Sequence, residues 1–195
     1  NESSSASFYM IKVEAVRIAD SPAAPMFTQI VGPSPEIKDA AAVKQDVSER
    51  HELRRAWWAS LLERARGKSS LTARLSPTTR GYINTTAGTP GLSMGYVVWQ
   101  DEGRVELYID RGDRDENKRI FDQLFSHRAE IEREFGGELT WERLEKRRAS
   151  RVAFDVHSGG YRSSAETWPD IQDETIDAMV RFEAALRPFV ERVGS

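Results

Sequence analysis

The chain has 195 residues, enough for one domain with its own core together with part of another. Hydrophobic residues make up 39% and charged residues 30% of it, the balance of a folded protein with a heavily charged surface rather than of a disordered chain. A formal charge of -3 excludes a global basic excess, the lack of cysteine excludes disulfides and thiol chemistry, and no apolar run is long enough for a membrane helix. We expect a cytoplasmic protein with no membrane partner.

Residues 1–35 predict a strand arm. Phe8 to Ile18 alternates apolar and charged residues and ends at Asp20-Ser21-Pro22, and Met26 to Val31 is a second strand-like run before Gly32-Pro33-Ser34-Pro35. Two strands have no core of their own. The arm is therefore interpreted either as the tail of an upstream domain or as a segment that pairs with another copy of the chain in a homodimer.

From Glu36 the pattern becomes helical, with apolar residues at steps of four, which predicts one long helix, or two with a break, to about Arg66. Trp57 and Trp58 are adjacent on it, so about 100° separates them and one is a candidate for an exposed or interface position. The five tryptophans are otherwise expected to be core anchors. Residues 69–95 predict mostly loop, with a short strand near Tyr82.

A β-hairpin is the strongest local prediction. Gly95 to Gln100 and Arg104 to Asp110 are strand-like runs that are separated by a Gln-Asp-Glu-Gly turn. Because side chains alternate along a strand, Val105, Leu107 and Ile109 share one face, and Glu106, Tyr108 and Asp110 share the other. The first set is expected in the core.

The remainder predicts a helix from about Asp115 to Phe135, a half-buried strand from Arg151 to His157, and a terminal helix that opens at Trp168-Pro169. Residues 36–195 therefore predict an α+β (mixed α/β) domain. Its sheet is built on the central hairpin and is packed by three helices.

Four short segments and the terminal helix together carry a resemblance to a known family. The segments are Arg104 to Asp110, Phe121-Asp122-Gln123-Leu124, Ile131-Glu132 and Gly137-x-Leu139-x-Trp141-Glu142. With them the chain resembles the family catalogued as domain of unknown function 4268 over roughly Glu49 to Val193. Phe8 to Val31 is similar to the segment that leads into this domain in longer members, where a domain similar to restriction endonucleases often precedes it. The resemblance implies such a neighbour.

The order helix, strands, helix, strand, helix is similar to the core of the restriction-endonuclease superfamily. In that core a carboxylate on the second strand and a Glu-x-Lys on the third hold magnesium and a water. Asp101 and Glu106 fall on or beside the hairpin strands, but Tyr108 stands where the lysine is required. Lys118, on the following helix, is the candidate replacement. A divergent magnesium-dependent nuclease is thus one alternative, in which Mg²⁺ is the cofactor; otherwise no cofactor is expected.

A cluster of cations carries the principal hypothesis, since it could contact the phosphates of DNA or RNA. Arg74, Arg80 and Tyr82 lie in the loop before the hairpin. The cluster itself follows the helix predicted from about Asp115 to Phe135, and it comprises Arg143, Lys146, Arg147, Arg148 and Arg151. The competing interpretation is a solvated turn that pairs with Glu138, Glu142 and Glu145. The hypothesis is a non-catalytic, nucleic-acid-associated accessory module of a nuclease-like or defence protein.

Two other patterns predict no site. His51, His127 and His157 lie on three predicted elements without a metal-binding spacing, so no metal site is expected. Residues 91–95 match Gly-x-Ser-x-Gly by letters, but that motif needs a strand before the serine and a helix after it, and here a loop precedes the serine and a strand follows it. The remaining alternative is an oligomerisation or protein-interaction domain that exchanges the Phe8 to Val31 strands.

Overall fold

The computed structural model describes residues 10–17, 22–31, 35–72 and 75–193. Two compact units divide the chain between Glu49 and Arg50. The turns predicted at Asp20-Ser21 and Gly32-Pro33-Ser34, and Arg74, lie outside the described residues.

The first unit contains two antiparallel strands, β1 (Met10–Val16) and β2 (Ala24–Val31), as predicted. Val13 pairs with Phe27, so these side chains share one face of the two-stranded sheet with Ile11. All three are more than half exposed. Helix α1 (Pro35–Ala65) begins in this unit as a single helix. That residues 1–35 are the tail of another domain stays a prediction.

The second unit is built on a five-stranded antiparallel sheet in the order β3-β4-β5-β7-β6. The strands are β3 (Tyr82–Thr86), β4 (Leu92–Val98), β5 (Gly103–Ile109), β6 (Thr140–Glu142) and β7 (Ser150–Val156). The predicted hairpin is β4–β5, and its turn is closed by the Trp99 amide, which donates to the Glu102 carbonyl at 2.9 Å. The α+β class is confirmed, whereas the likeness to a restriction-endonuclease core stays a prediction.

The helix predicted from Asp115 to Phe135 is two helices, α2 (Arg114–Phe125) and α3 (Arg128–Phe135), so that prediction is wrong. The helix is interrupted by a tight turn at Ser126-His127. There the His127 amide donates to the Leu124 carbonyl three residues earlier, and the Ser126 hydroxyl donates to the Gln123 carbonyl. Both short helices bury an apolar stripe. The apolar periodicity therefore continues across the break, and the sequence pattern does not reveal it. The terminal helix, α4 (Trp168–Val193), opens where predicted.

The core lies on one face of this sheet, where helical side chains pack against Val105, Leu107 and Ile109, each of them 0% exposed. The expectation that one of Trp57 and Trp58 is exposed is wrong, because both are buried. Their rings point to different neighbours. The Trp58 indole donates to the Arg80 carbonyl at 2.8 Å, and Trp57 packs edge-on against Trp168 with ring centres 5.2 Å apart.

A 3₁₀ turn covers Ser70–Thr72 between α1 and the sheet. Among the helices in the part of the chain that the structure describes, none has the length and apolar content to cross a bilayer.

Candidate functional site

The sheet of the second unit has a second face, which the core helices do not cover. We call it the open face. Strand alternation and the pairing register place polar, aromatic and small side chains there. Its members are Tyr82, Asn84, Thr86, Ser93, Gly95, Val97, Arg104, Glu106, Tyr108, Thr140, Glu142, Arg151, Ala153 and Asp155.

Alternating charges link three strands across this face. The Arg104 guanidinium binds the Asp155 carboxylate, with Nε to Oδ1 at 2.6 Å. The Arg151 guanidinium binds Glu142 at 2.6 Å and Glu106 at 3.3 Å. Each side chain is at most 30% exposed, so these pairs are screened less than ordinary surface pairs. The network balances two cations against three carboxylates and leaves no positive excess on the face.

Glu106 occupies the centre of the open face. Burial raises the pKa of its carboxyl, and the lowering effects of Arg151 and Arg104 do not offset this. Its register partners are Gly95 on β4 and Ala153 on β7. A Cβ on Gly95 would lie 2.6 Å from the Ile83 carbonyl oxygen, so only glycine allows this approach of the strands. The Glu106 carboxyl group therefore lies between two register positions with little or no side chain.

Three aromatic side chains on or beside this face are partly exposed: Tyr82 at 46%, Tyr108 at 37% and Trp99 at 36%. Trp99 was expected in the core, and that expectation is wrong. Two of these rings make a cation–π contact with an arginine. The Arg80 guanidinium carbon lies 5.8 Å from the Tyr82 ring centre, and that of Arg104 lies 5.1 Å from the Trp99 ring centre.

Lys118 does not face Glu106. It is 4% exposed on α2, and its ammonium group donates to the carbonyls of Arg143, Leu144 and Ala149 and to the Ser150 hydroxyl. Burial lowers its pKa. Its role here is to fasten the loop 143–149, in which Leu144 has a positive φ of 55°, against α2.

The predicted basic cluster is split among separate ion pairs. Arg143 binds Asp122 and Glu145, and Arg148 binds Asp110 through two nitrogens at 2.8 and 2.7 Å. The Arg148 hydrogen bond lowers the pKa of Asp110. The paired-turn interpretation therefore describes Arg143 with Glu145 and Arg151 with Glu142. It does not describe Arg148, whose partner is Asp110, and Glu138 takes no part in these pairs. Lys146 and Arg147 are exposed, with no ion pair to any described residue.

The three catalytic candidates lie in different surroundings. Asp101 lies in the β4–β5 turn, Glu106 lies among guanidinium groups, and Lys118 is bound to backbone carbonyls. Among the described residues, no group of three or more histidine or acidic side chains is arranged to hold a metal ion.

The open-face network could be found only in part from the sequence. Alternation along β5 places Arg104 beside Glu106. Their partners lie on β6 and β7 and are distant in the chain. Glu106 and Arg151 are 45 positions apart, and Arg104 and Asp155 are 51 positions apart, so these pairs depend on the register of the strands. No periodicity encodes that register.

Fold and site together define an α+β domain in which helices cover one face of an antiparallel sheet and the other face is charged and aromatic. Residues 53–190 match the family model described as Domain of unknown function (DUF4268), and the chain belongs to this family. Searches of curated proteins and of solved structures found no significant match.

Proposed function

We propose that the second unit is a non-catalytic, nucleic-acid-associated accessory module that binds single-stranded DNA or RNA on its open face. The observation that carries this proposal is the set of partly exposed rings of Tyr82, Trp99 and Tyr108 on or beside one polar sheet face. Unpaired bases stack on aromatic side chains and on arginine planes, whereas paired bases are already stacked on each other.

The spacing of these rings suits a short strand. Tyr82 on β3 is level with Arg104 on β5 in the register, and Tyr108 lies four residues further along β5. At the usual rise and spacing of strands, Tyr82 and Tyr108 are offset by about 13 Å along the strands and about 10 Å across them, or about 16 Å together. This span has room for roughly two or three nucleotides, the number that aromatic residues of sheet platforms commonly stack. The loop 143–149 leads into β7 at the Tyr108 end, where Lys146 and Arg147 are available to phosphates.

The charge balance of the open face predicts the character of binding. Arg104 and Arg151 are each paired with carboxylates, so they add little net attraction for phosphate. Affinity should then come mainly from stacking, and duplex DNA should bind weakly. A shallow dependence of affinity on salt is expected, because few counterions are released.

The test is fluorescence anisotropy with a labelled single-stranded oligonucleotide at low salt. Tyr82→Ala and Tyr108→Ala should each weaken binding roughly tenfold, since stacking contributes on the order of 1–3 kcal/mol per base. Phe125→Ala is the matched control, because Phe125 is a 44% exposed ring on α2 rather than on the open face. Equal weakening by all three variants, or no binding to the unmodified protein at low salt, would overturn the proposal.

A second candidate function, self-association, is supported by the first unit. Ile11, Val13 and Phe27 form an apolar face of β1–β2 and are 54%, 60% and 67% exposed. Both strands are edges of a two-stranded sheet among the described residues, so a second copy can add to either edge. Sedimentation should show a dimer that Val13→Lys converts to monomer, with Lys12→Gln, on the other face of β1, as the control. A monomer at all concentrations would exclude it.

A further inference from the structure

A cleft on the second unit lies beside Trp99, where the β4–β5 turn meets α1. Its volume is about 430 Å³, within the range of small-ligand sites. Arg50 and Arg54, one helical turn apart on α1, line one side, and the turn residues Trp99 and Asp101 line the other. Tyr161 is also part of the wall.

The wall of the cleft that the β4–β5 turn forms is held in place by backbone hydrogen bonds. The Tyr161 amide donates to the Trp99 carbonyl at 3.0 Å, and the Arg162 amide donates to the Gln100 carbonyl at 2.9 Å. At Gly160 a Cβ would lie 2.3 Å from the Trp99 carbonyl oxygen and 2.7 Å from the Asp101 nitrogen. Only glycine permits this approach, so the loop and the turn form a preorganised wall.

Arg54 is the unusual group of the cleft. Its guanidinium carbon lies 5.0 Å from the Tyr161 ring centre, and its Nε is buried without a hydrogen-bond partner among the described residues. No carboxylate of the described residues forms an ion pair with it. Because Nε is buried, an anion in the cleft would accept from the terminal nitrogens of the guanidinium, which are not buried and have no partner among the described residues.

The other walls restrict what kind of anion fits. Trp99 offers an aromatic surface, and Asp101 offers a carboxylate that accepts from hydroxyl or amino groups. Glu102, also in the wall, lies 3.4 Å from His157 Nδ1. The cleft thus combines a phosphate-binding fork, a stacking surface and an acceptor for sugar or base donors.

We propose that this cleft binds a phosphorylated nucleoside, with phosphate at Arg54, the base against Trp99 and ribose or amino donors at Asp101. The ligand is either a free nucleoside monophosphate or the phosphorylated terminal nucleotide of a single strand. The second form rests on the proposed function, because the strand would continue from Trp99 across the open face.

The experiment titrates adenosine 5′-monophosphate, adenosine and inorganic phosphate into the full chain by calorimetry. The monophosphate should bind at least about tenfold more tightly than either fragment, since both halves of the ligand are needed. Arg54→Gln should reduce monophosphate binding to the level of adenosine. Arg55→Gln, which changes the exposed neighbour outside the cleft, should leave it unchanged.

Arg54→Lys distinguishes a loss of ligand binding from a loss of folding, because it keeps a cation over Tyr161 and removes the planar guanidinium. Its melting temperature should match that of the unmodified protein while monophosphate binding falls about tenfold. Equal affinity for all three ligands, or binding that is insensitive to both Arg54 variants, would overturn the proposal.

Oligonucleotides distinguish the two sources and separate this site from the open face. A 5′-phosphate that improves oligonucleotide binding about tenfold, only when Arg54 is present, identifies the terminal nucleotide as ligand. Monophosphate binding without that gain identifies a free nucleotide. Oligonucleotide binding that depends on Tyr82 and Tyr108, without any binding of the monophosphate, would contradict the cleft proposal and support the open-face proposal. Monophosphate binding that depends on Arg54, together with oligonucleotide binding that does not depend on Tyr82 and Tyr108, would contradict only the open-face proposal.

Discussion

The two faces of strand β5 follow different rules. Val105, Leu107 and Ile109 point into the core and are 0% exposed. The alternate residues Arg104 and Glu106, which point away, are held by ion pairs to β6 and β7 rather than by packing.

One strand can thus contribute to stability on one side and to binding on the other. Burial of apolar area stabilises the fold without regard to direction, so the core face tolerates little loss of volume. The open face depends on directional pairs and partly exposed rings. Substitutions there should change binding more than folding.

The largest effect is expected on the core side. Leu107→Ala should lower the free energy of unfolding by about 2–5 kcal/mol, because a fully buried leucine leaves a cavity in a sheet-helix interface. Chemical denaturation with a two-state fit measures this. A loss below roughly 1 kcal/mol would mean that the core face is not packed as described.

Lys118→Met tests a polar anchor beside the sheet. It removes the ammonium group that satisfies three backbone carbonyls and the Ser150 hydroxyl. We expect a loss of about 1–3 kcal/mol and faster amide exchange in the loop 143–149. Arg147→Gln, in the same loop but exposed, is the control and should leave both quantities unchanged.

Tyr108→Ala should change the free energy of unfolding by no more than about 0.5 kcal/mol, since its ring is partly exposed on the open face. The same variant should weaken oligonucleotide binding, as proposed above. A destabilisation as large as that of Leu107→Ala would show that both faces of β5 are structural.

The smallest effect is a pH dependence. Because the pKa of Glu106 is raised above its ordinary value of 4.5, the folded protein holds that proton more tightly than the unfolded chain does. The associated stability is present below about 4.5 and is lost as pH rises through the raised pKa. Glu106→Gln lacks this component, so the unmodified protein should lose stability relative to the variant across that window. A relative gain with rising pH would contradict the burial argument.

Much of this fold could be predicted because it rests on local patterns. The β4–β5 hairpin and α4 follow from alternation and helical spacing. The three-residue strand β6 is too short for such a signal, and the break at Ser126-His127 preserves the apolar stripe.

The candidate sites needed three-dimensional information. The cations around Arg148 formed one cluster along the chain, but the fold brings Asp110 and Glu142 next to them. Arg54 and Tyr161 stand 107 positions apart in the chain, so no sequence motif joins them. Charge that is clustered in sequence is therefore a poor guide to charge that is free on the surface.

The most direct test of the open face compares methyl and aromatic NMR signals with and without a short single-stranded oligonucleotide at low salt. We predict that the ring signals of Tyr82 and Tyr108 and the methyl signals of Val97 shift on binding, whereas those of Leu107 and Ile109 stay in place. Shifts confined to the α2 surface or to β1–β2, or no shift at all, would contradict the account.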